Sequence, residues 1–282
     1  MKLGLALSGG GVRGIAHAGV LRVLEEKNIK VDMISGTSCG SLVAALYAMG
    51  YPPYYIYILF KKYAKEIAGI NKVTFATGIN SILLNKKLKI SGLSTGEAIE
   101  KIYDELALKK GIKTISDIKM PIAIPTVDIT ESNEYIFTNK IPEKNKKFYI
   151  DNVSIGKAVR ASSSFPVVFS PCEFKKHKFL DGGTLDNVPA IPVKKLGAEK
   201  VISINFDADV IDEHSNIMDI AMKTIDIMGN RISEKGLKDS DLILTIPSDK
   251  TGLLDIDKID QCYKLGYETA TNNIDKILKL IK

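Results

Sequence analysis

The sequence predicts an α/β fold, a three-layer α/β/α arrangement around a central, mostly parallel sheet. Two observations carry this reading. Short Val/Leu/Ile-rich runs alternate with longer helical patterns, and runs of that kind need both faces covered. The first fifty residues already read strand, helix, strand, helix.

Leu3 to Leu7 is the first run, and a cluster of glycines follows it. Ile15 to Glu26 then reads as a helix, with Ala16, Val20, Val23 and Leu24 along one face. Val31 to Ile34 is a second short strand. Ser41 to Met49 is a second helix, stopped by Gly50 and the Pro52-Pro53 pair. Tyr54 to Ile67 has a helical pattern, and 71–93 reads as a long connection with short elements. Ser94 and Glu97 have capping-box spacing for a helix running through Leu108.

Pro121 to Thr130 and Tyr135 to Thr138 read as strands around the polar turn Glu131-Ser132-Asn133. Ile141 to Lys147 is a charged loop, and Ser154 caps a short helix to Ala161. Lys178 to Leu180 is a brief strand that runs straight into Asp181-Gly182-Gly183. Val201 to Phe206 and Leu242 to Ile246 are strands with a helix near Ile217 to Lys235 between them, and a last helix covers Ile259 to Leu280. No repeat or low-complexity linker divides the chain. Residues 1–282 are therefore expected to form one domain, with a variable helical and loop cover around 51–115.

Composition bounds the function. The apolar fraction of 45% and charged fraction of 26% are those of a globular protein, and no apolar run reaches the length of a membrane span. Cys39, Cys172 and Cys262 are too scattered for a disulfide framework or a metal site. His17, His177 and His214 are the only histidines, so no metal and no cofactor are expected. The formal charge is +6, and of 39 basic residues only Arg13, Arg22, Arg160 and Arg231 are arginine. Lysine-rich charge suits solubility or diffuse attraction to an anionic surface, and no nucleic-acid motif accompanies it. The N-terminal run breaks into glycine where a secretory signal would continue. The expected setting is the cytoplasm, with peripheral contact at the inner face of an anionic membrane. Tyr51, Tyr54, Tyr55, Tyr57 and Tyr63 around Ile56, Ile58, Leu59 and Phe60, followed by Lys61, Lys62 and Lys65, suit either an interfacial covering helix or a helix packed on the core.

Two glycine motifs bear on chemistry. Gly9, Gly11 and Gly14 satisfy GxGxxG between a strand and a helix, a weak signal for a nucleotide by itself. The acidic residue a dinucleotide site needs belongs at the end of the second strand. Asp32 stands at its beginning. Gly9, Gly10, Gly11, Val12, Arg13 and Gly14 could equally turn their amides toward the negative oxygen of an acyl-transfer intermediate. At the end of the second strand stands Gly36-Thr37-Ser38-Cys39-Gly40, a GxSxG elbow in strand–turn–helix context. Ser38 is then either a nucleophile or a helix cap. A serine nucleophile needs a base. His214 lies in a polar segment, His17 reads as a packing residue and His177 falls in a turn after two lysines. Asp181, between Phe179-Leu180 and two glycines, is better placed, though by itself an Asp-Gly pair is also an ordinary turn.

Together these motifs resemble the patatin-like phospholipase family. GGGVRG is similar to its oxyanion segment, GTSCG to its elbow and DGG to its aspartate motif. The stretch from Arg160 through Ser162, Ser163 and Ser164 to Pro166, and Asn187-Val188-Pro189, resemble further family segments. The resemblance implies a patatin-like fold and a serine acyl hydrolase cleaving lipid or other acyl esters. Ser38 and Asp181 would be a dyad without histidine, with Gly182 and Gly183 completing the aspartate motif. The amides of Gly10, Gly11 and Val12 would hold the oxyanion, and Arg13 would hold the loop or meet an anionic group. A nucleotide-binding protein and a noncatalytic lipid- or protein-binding module are the alternatives.

Overall fold

The computed structural model describes residues 1–68, 94–207, 217–248, 251–252 and 254–282. Its strands are β1 (Leu3–Leu7), β2 (Met33–Gly36), β3 (Ile122–Asp128), β4 (Asn133–Thr138), β5 (Tyr149–Ile150), β6 (Cys172–Phe174), β7 (His177–Asp181), β8 (Lys200–Phe206) and β9 (Leu242–Ile246). The helices are α1 (Ala16–Glu26), α2 (Cys39–Ala48), α3 (Pro53–Lys62), α4 (Ala64–Ile67), α5 (Glu97–Lys109), α6 (Ile155–Ser162), α7 (Ala190–Lys195), α8 (Ile217–Lys238), α9 (Ile259–Asn272) and α10 (Ile274–Ile281).

The strand order is β5-β4-β3-β2-β1-β8-β9, with the β6-β7 hairpin joined through β7 to β3. The neighbours β3-β2, β2-β1, β1-β8 and β8-β9 are parallel. Alternation along β1 shows how the two faces are covered. Leu3, Leu5 and Leu7 join the larger core with residues of α1 and α2, while Ala6 joins a smaller core with Val193 of α7 and Val201. Helices thus cover both faces of a mostly parallel sheet, as the sequence predicts.

One feature of the pairing was not foreseeable. β2 meets β3 only at Ile122 and Ala123, where Ile34 and Ser35 are the partners. β4 occupies the opposite edge of β3 along most of its length. On the edge that β2 leaves, β7 enters antiparallel, with Asp181 opposite Thr126 and Phe179 opposite Asp128. β2 and β7 therefore approach from opposite ends along one edge of β3. The residues just beyond the end of β2 face the end of β7.

Several boundaries differ from expectation. The second strand is Met33–Gly36, because Val31 is buried ahead of the sheet and pairing persists into the elbow. The Ser94/Glu97 capping box does not form: Gly96, at φ 69°, caps α5, and the Ser94 hydroxyl accepts from the Gly96 amide at 3.2 Å. Ser94 instead bridges to Phe169 through backbone bonds to Val168 and Ser170. The helical pattern from Tyr54 breaks at Tyr63 into α3 and α4, and the last one breaks at Asn273 into α9 and α10. β5, β6 and α7 are too short to leave a periodic signal. The expected connection 71–93 and His214 lie outside the described residues. No helix among the described residues is long and apolar enough to cross a membrane.

On α3, Ile56, Leu59 and Phe60 are buried while Tyr54, Tyr55 and Ile58 are exposed. The Tyr57 hydroxyl donates to Asp260 at 2.8 Å, and Lys61 pairs with the same carboxylate at 2.9 Å. The helix is packed on the core with tyrosines at its outer face.

Candidate active site

Ser38 ends the β2 elbow with φ 53° and ψ −126°, a conformation a non-glycine residue adopts only when its surroundings impose it. Its side chain makes no capping bond to α2. The helix-cap reading therefore fails, and the hydroxyl is left for the cavity above. The flanking glycines are required by close approach. A Cβ on Gly36 would stand 2.3 Å from the Gly40 carbonyl oxygen, and one on Gly40 would stand 2.3 Å from that of Leu7. Thr37 fastens the turn by donating from its hydroxyl to the Asp186 carbonyl at 2.7 Å. The Ser38 amide donates to the Ser162 hydroxyl at 3.0 Å, and the Ser41 hydroxyl donates to the Ser38 carbonyl at 2.6 Å.

Asp181 closes β7 and is 3% exposed. Its Oδ1 accepts the Gly183 amide at 2.8 Å, whereas Oδ2 has no hydrogen bond of good geometry. Burial raises its pKa to about 6, against the smaller opposing effects of the Ser38 hydroxyl beside it and of the Gly183 amide. The Ser38 hydroxyl thus lies close enough to Asp181 to act on it electrostatically, without a well-formed hydrogen bond between them.

The glycine loop faces the same space. Gly9, Gly10, Gly11, Val12 and Arg13 line one cavity with Ser38, Cys39, Asp181 and Gly183. Gly11 takes φ 57° and opens a 3-10 turn that leads into α1. The first amides of such a turn have no acceptor within it, and together they offer a small electropositive concavity. Gly14 faces away from the cavity: a Cβ there would lie 2.3 Å from Cys39 Sγ, so it seats the loop on the elbow. Gly36, Thr37, Gly40 and Gly182 likewise shape the turns without lining the cavity. Arg13 is buried, donates from Nε to the Gly10 carbonyl at 3.3 Å and lies 5.5 Å from the Phe206 ring centroid. It braces the loop.

The cavity is open to solvent at one side. Leu42, Ile67, Val168, Phe169 and Leu254 give it an apolar wall opposite its polar end. No histidine lines it among the described residues. His17 is fully buried, bonded through Nε2 to the Ser8 carbonyl at 2.9 Å, and burial lowers its pKa to about 4. It is a packing residue, as expected. His177 is not in a turn: it begins β7 and donates from Nδ1 to Asp128 at 2.6 Å. Asp128, Glu131 and His177 bring ligand atoms within 4.8 Å of one another. However, His177 and Thr130 already occupy the Asp128 oxygens, and Tyr135 donates to Glu131. Burial raises the Cys39 thiol well above its ordinary range, which makes it a poor nucleophile beside Ser38. Asp32, the residue a nucleotide reading would need, caps the Leu3 amide at 2.9 Å and pairs with Lys30 at the other end of the strand.

The sequence reading gave Ser162 no role of its own beyond its place in a serine-rich segment. Its hydroxyl holds the Ser38 amide, and the segment is pinned by Arg160, whose guanidinium donates to Thr95, Ser164 and Ser170.

A sequence model of the family described as patatin-like phospholipase matches residues 5–194. A lysophospholipase NTE1 from Scheffersomyces stipitis is 30% identical over 295 residues, covering 95% of this chain and 18% of that protein. Its counterpart from Candida albicans is 30% identical over 297 residues, covering 95% and 20%. The chain thus spans about a fifth of these relatives. Among solved structures, VipD from Legionella pneumophila superposes with a TM-score of 0.53 at 15% identity, covering 98% of this chain and 66% of that one. The type III effector protein ExoU superposes at 0.50 with 15% identity, covering 98% and 53%. These two likenesses concern the fold alone.

Proposed function

The chain belongs to the patatin-like phospholipase family, and from that premise we propose that it hydrolyses carboxylic esters of lipids through Ser38 and Asp181. The observation that carries the reading is their convergence: a strained serine and a buried carboxyl with a raised pKa meet in one apolar-walled cavity beside the glycine loop. The carboxylate of Asp181 orients the Ser38 hydroxyl and takes its proton as the oxygen attacks the ester carbonyl. The amides of Gly10, Gly11 and Val12 stabilise the oxyanion. Asp181 then gives the proton to the departing alcohol, leaving an acyl-serine. Water, deprotonated by the same carboxylate, attacks that ester; the fatty acid leaves and the proton returns to Ser38.

The similarity to fungal lysophospholipases supports a single-chain phospholipid as substrate, and the apolar wall suits one acyl chain. Residues 1–282 serve as one hydrolase domain in this reading, with no cofactor or metal and with a variable helical and loop cover around 51–115. The exposed Tyr54, Tyr55 and Ile58 on α3 give it a surface for peripheral contact with an anionic membrane. Sedimentation with neutral and anionic vesicles tests that contact: equal recovery, insensitive to salt, overturns it.

The decisive test of the chemistry is reaction with a serine-directed fluorophosphonate, followed by intact-mass measurement and peptide mapping. One adduct, on Ser38, is expected. An unmodified chain, or an adduct elsewhere with Ser38 intact, overturns the assignment.

A further inference from the structure

Asn187, the first residue of the Asn187-Val188-Pro189 segment, stands where the two motifs of the active site meet. Its main-chain carbonyl accepts the Gly9 amide at 3.2 Å, so the glycine loop is anchored to the turn that follows Asp181. Its Nδ2 donates to the Ser233 hydroxyl of α8 at 2.9 Å. Ser233 is buried and gives its own proton to the Gly229 carbonyl at 2.8 Å, so towards the amide it can only accept. That sets the orientation of the side chain: Nδ2 faces α8, and Oδ1 faces the glycines.

The contact with α8 is tight. A Cβ on Gly236 would stand 1.9 Å from the Val188 carbonyl oxygen, and Gly229 and Asn230 of the same helix line the cavity. Asn187 is therefore a joint, holding the glycine loop through its main chain and α8 through its side chain.

Oδ1 lies close to both members of the Ser38–Asp181 pair. A Cβ on Gly9 would stand 2.6 Å from it and 3.2 Å from the Ser38 Cβ. A Cβ on Gly183 would stand 3.1 Å from it and 3.1 Å from Asp181 Oδ1, so the two oxygens are within roughly 6 Å of each other. At that range a charge on residue 187 would act strongly on the Asp181 carboxyl, and an amide carries none. The other ionisable groups on the cavity wall among the described residues are Arg13 and Cys39. Behind the wall, the Arg160 guanidinium of α6 is committed to Thr95, Ser164 and Ser170. Thr126 of β3, opposite Asp181, is uncharged, and Asp186 faces Glu134 with Lys195 and Lys235 around that pair.

We propose that Asn187 is a positioning residue of the hydrolysis: it ties the glycine loop to the aspartate turn and sets an uncharged acceptor beside Asp181, so that the base works as a lone carboxylate. The inference rests on the acyl-ester reading of the cavity and adds a residue to its machinery.

Variants of the full chain separate this role from packing. Asn187→Asp keeps the shape and adds a carboxylate beside the base. Its kcat/KM is expected to reach half-maximum about one pH unit higher than in the unmodified chain. Asn187→Leu keeps most of the volume and loses both polar atoms. Its kcat, counted per Ser38 that reacts with the fluorophosphonate, is expected to fall about tenfold or more, with KM little changed and the pH midpoint in place. Ser233→Ala removes only the tie to α8 and is expected to lower kcat by a smaller factor. An unshifted midpoint in a folded Asn187→Asp protein overturns the inference, and so does full kcat per reactive serine in Asn187→Leu. If neither of these folds, a wild-type kcat in Ser233→Ala overturns it. Hydrolysis of no ester by the unmodified chain, with Ser38 unlabelled, would defeat the acyl-hydrolase reading instead. The carboxyl-carbon NMR titration of Asp181, assigned through Asp181→Asn, then still judges the juxtaposition: its midpoint is expected to rise in Asn187→Asp, and an unmoved midpoint overturns the placement.

Discussion

The Ser38 amide is held by the Ser162 hydroxyl at 3.0 Å, so the strained elbow leans on the C-terminal end of α6. Removing that acceptor leaves a part-buried N–H without a partner, at a cost of about 1–3 kcal/mol. Ser162→Ala is predicted to lower the melting temperature and to reduce kcat about tenfold or more with little change in KM. Ser162→Thr, which restores an acceptor, should recover part of the loss. Equal kcat in all three proteins would remove Ser162 from the positioning scheme.

Ser38→Ala and Asp181→Asn are each predicted to lower kcat on an activated acyl ester by about a thousandfold or more. His214→Ala is predicted to retain activity. A wild-type rate from Ser38→Ala sinks the nucleophile assignment, and a dead His214→Ala with a live Asp181→Asn would replace the dyad with a triad.

The pH profile should carry the signature of a buried carboxyl. In the proposed mechanism Asp181 is a base only when ionised, and burial raises its pKa to about 6. The kcat/KM is therefore expected to rise from pH 4, pass its half-maximum near pH 6 and level off above pH 7. A profile flat down to pH 4.5, where an unshifted carboxylate is already ionised, would contradict this environment.

The same shift has an opposite effect on stability. An acid whose folded pKa lies above its unfolded value of 3.8 binds more protons when folded, so stability is full below 3.8 and declines as pH rises through about 6. A two-unit shift corresponds to about 3 kcal/mol lost at the plateau. Asp181→Asn is predicted to melt higher than the unmodified protein at pH 8, with the gap closing towards pH 4. A lower melting temperature at pH 8 would refute the sign.

Gly40→Ala is predicted to prevent formation of the elbow, because its Cβ would lie 2.3 Å from a β1 carbonyl oxygen that cannot move without breaking the sheet. Loss of several kcal/mol or insoluble expression is expected. Gly50→Ala, at a position with open space around it, should cost less despite its φ of 80°. Urea unfolding of the soluble proteins compares the two.

Much of the architecture is legible in the sequence because buried parallel strands and amphipathic helices leave strong periodic traces. The elbow is legible too: strand, Gly36-x-Ser38-x-Gly40 and helix are contiguous. Asp181 is harder, since Asp-Gly-Gly alone is an ordinary turn and only its resemblance to a family motif singles it out. What brings it to Ser38 is the pairing of β7 with β3 beside β2, a register between distant segments that no local pattern records. The bond from the Ser38 amide to Ser162 also joins distant segments and leaves no local pattern. His177 was misplaced because two lysines before it suggested a turn, whereas the hairpin reverses just ahead of it and buries the ring against Phe179 and Tyr135.

The shared edge of β3 has one more consequence. β3 works as a jig: Ala123 registers the strand that delivers Ser38, and Thr126 registers the strand that delivers Asp181. A break in the exposed stretch at Glu143–Lys147 would leave the jig and the serine on one fragment and the aspartate on the other. The two halves would then be complementary reagents, each inert alone, whose reunion could be followed as recovered ester cleavage.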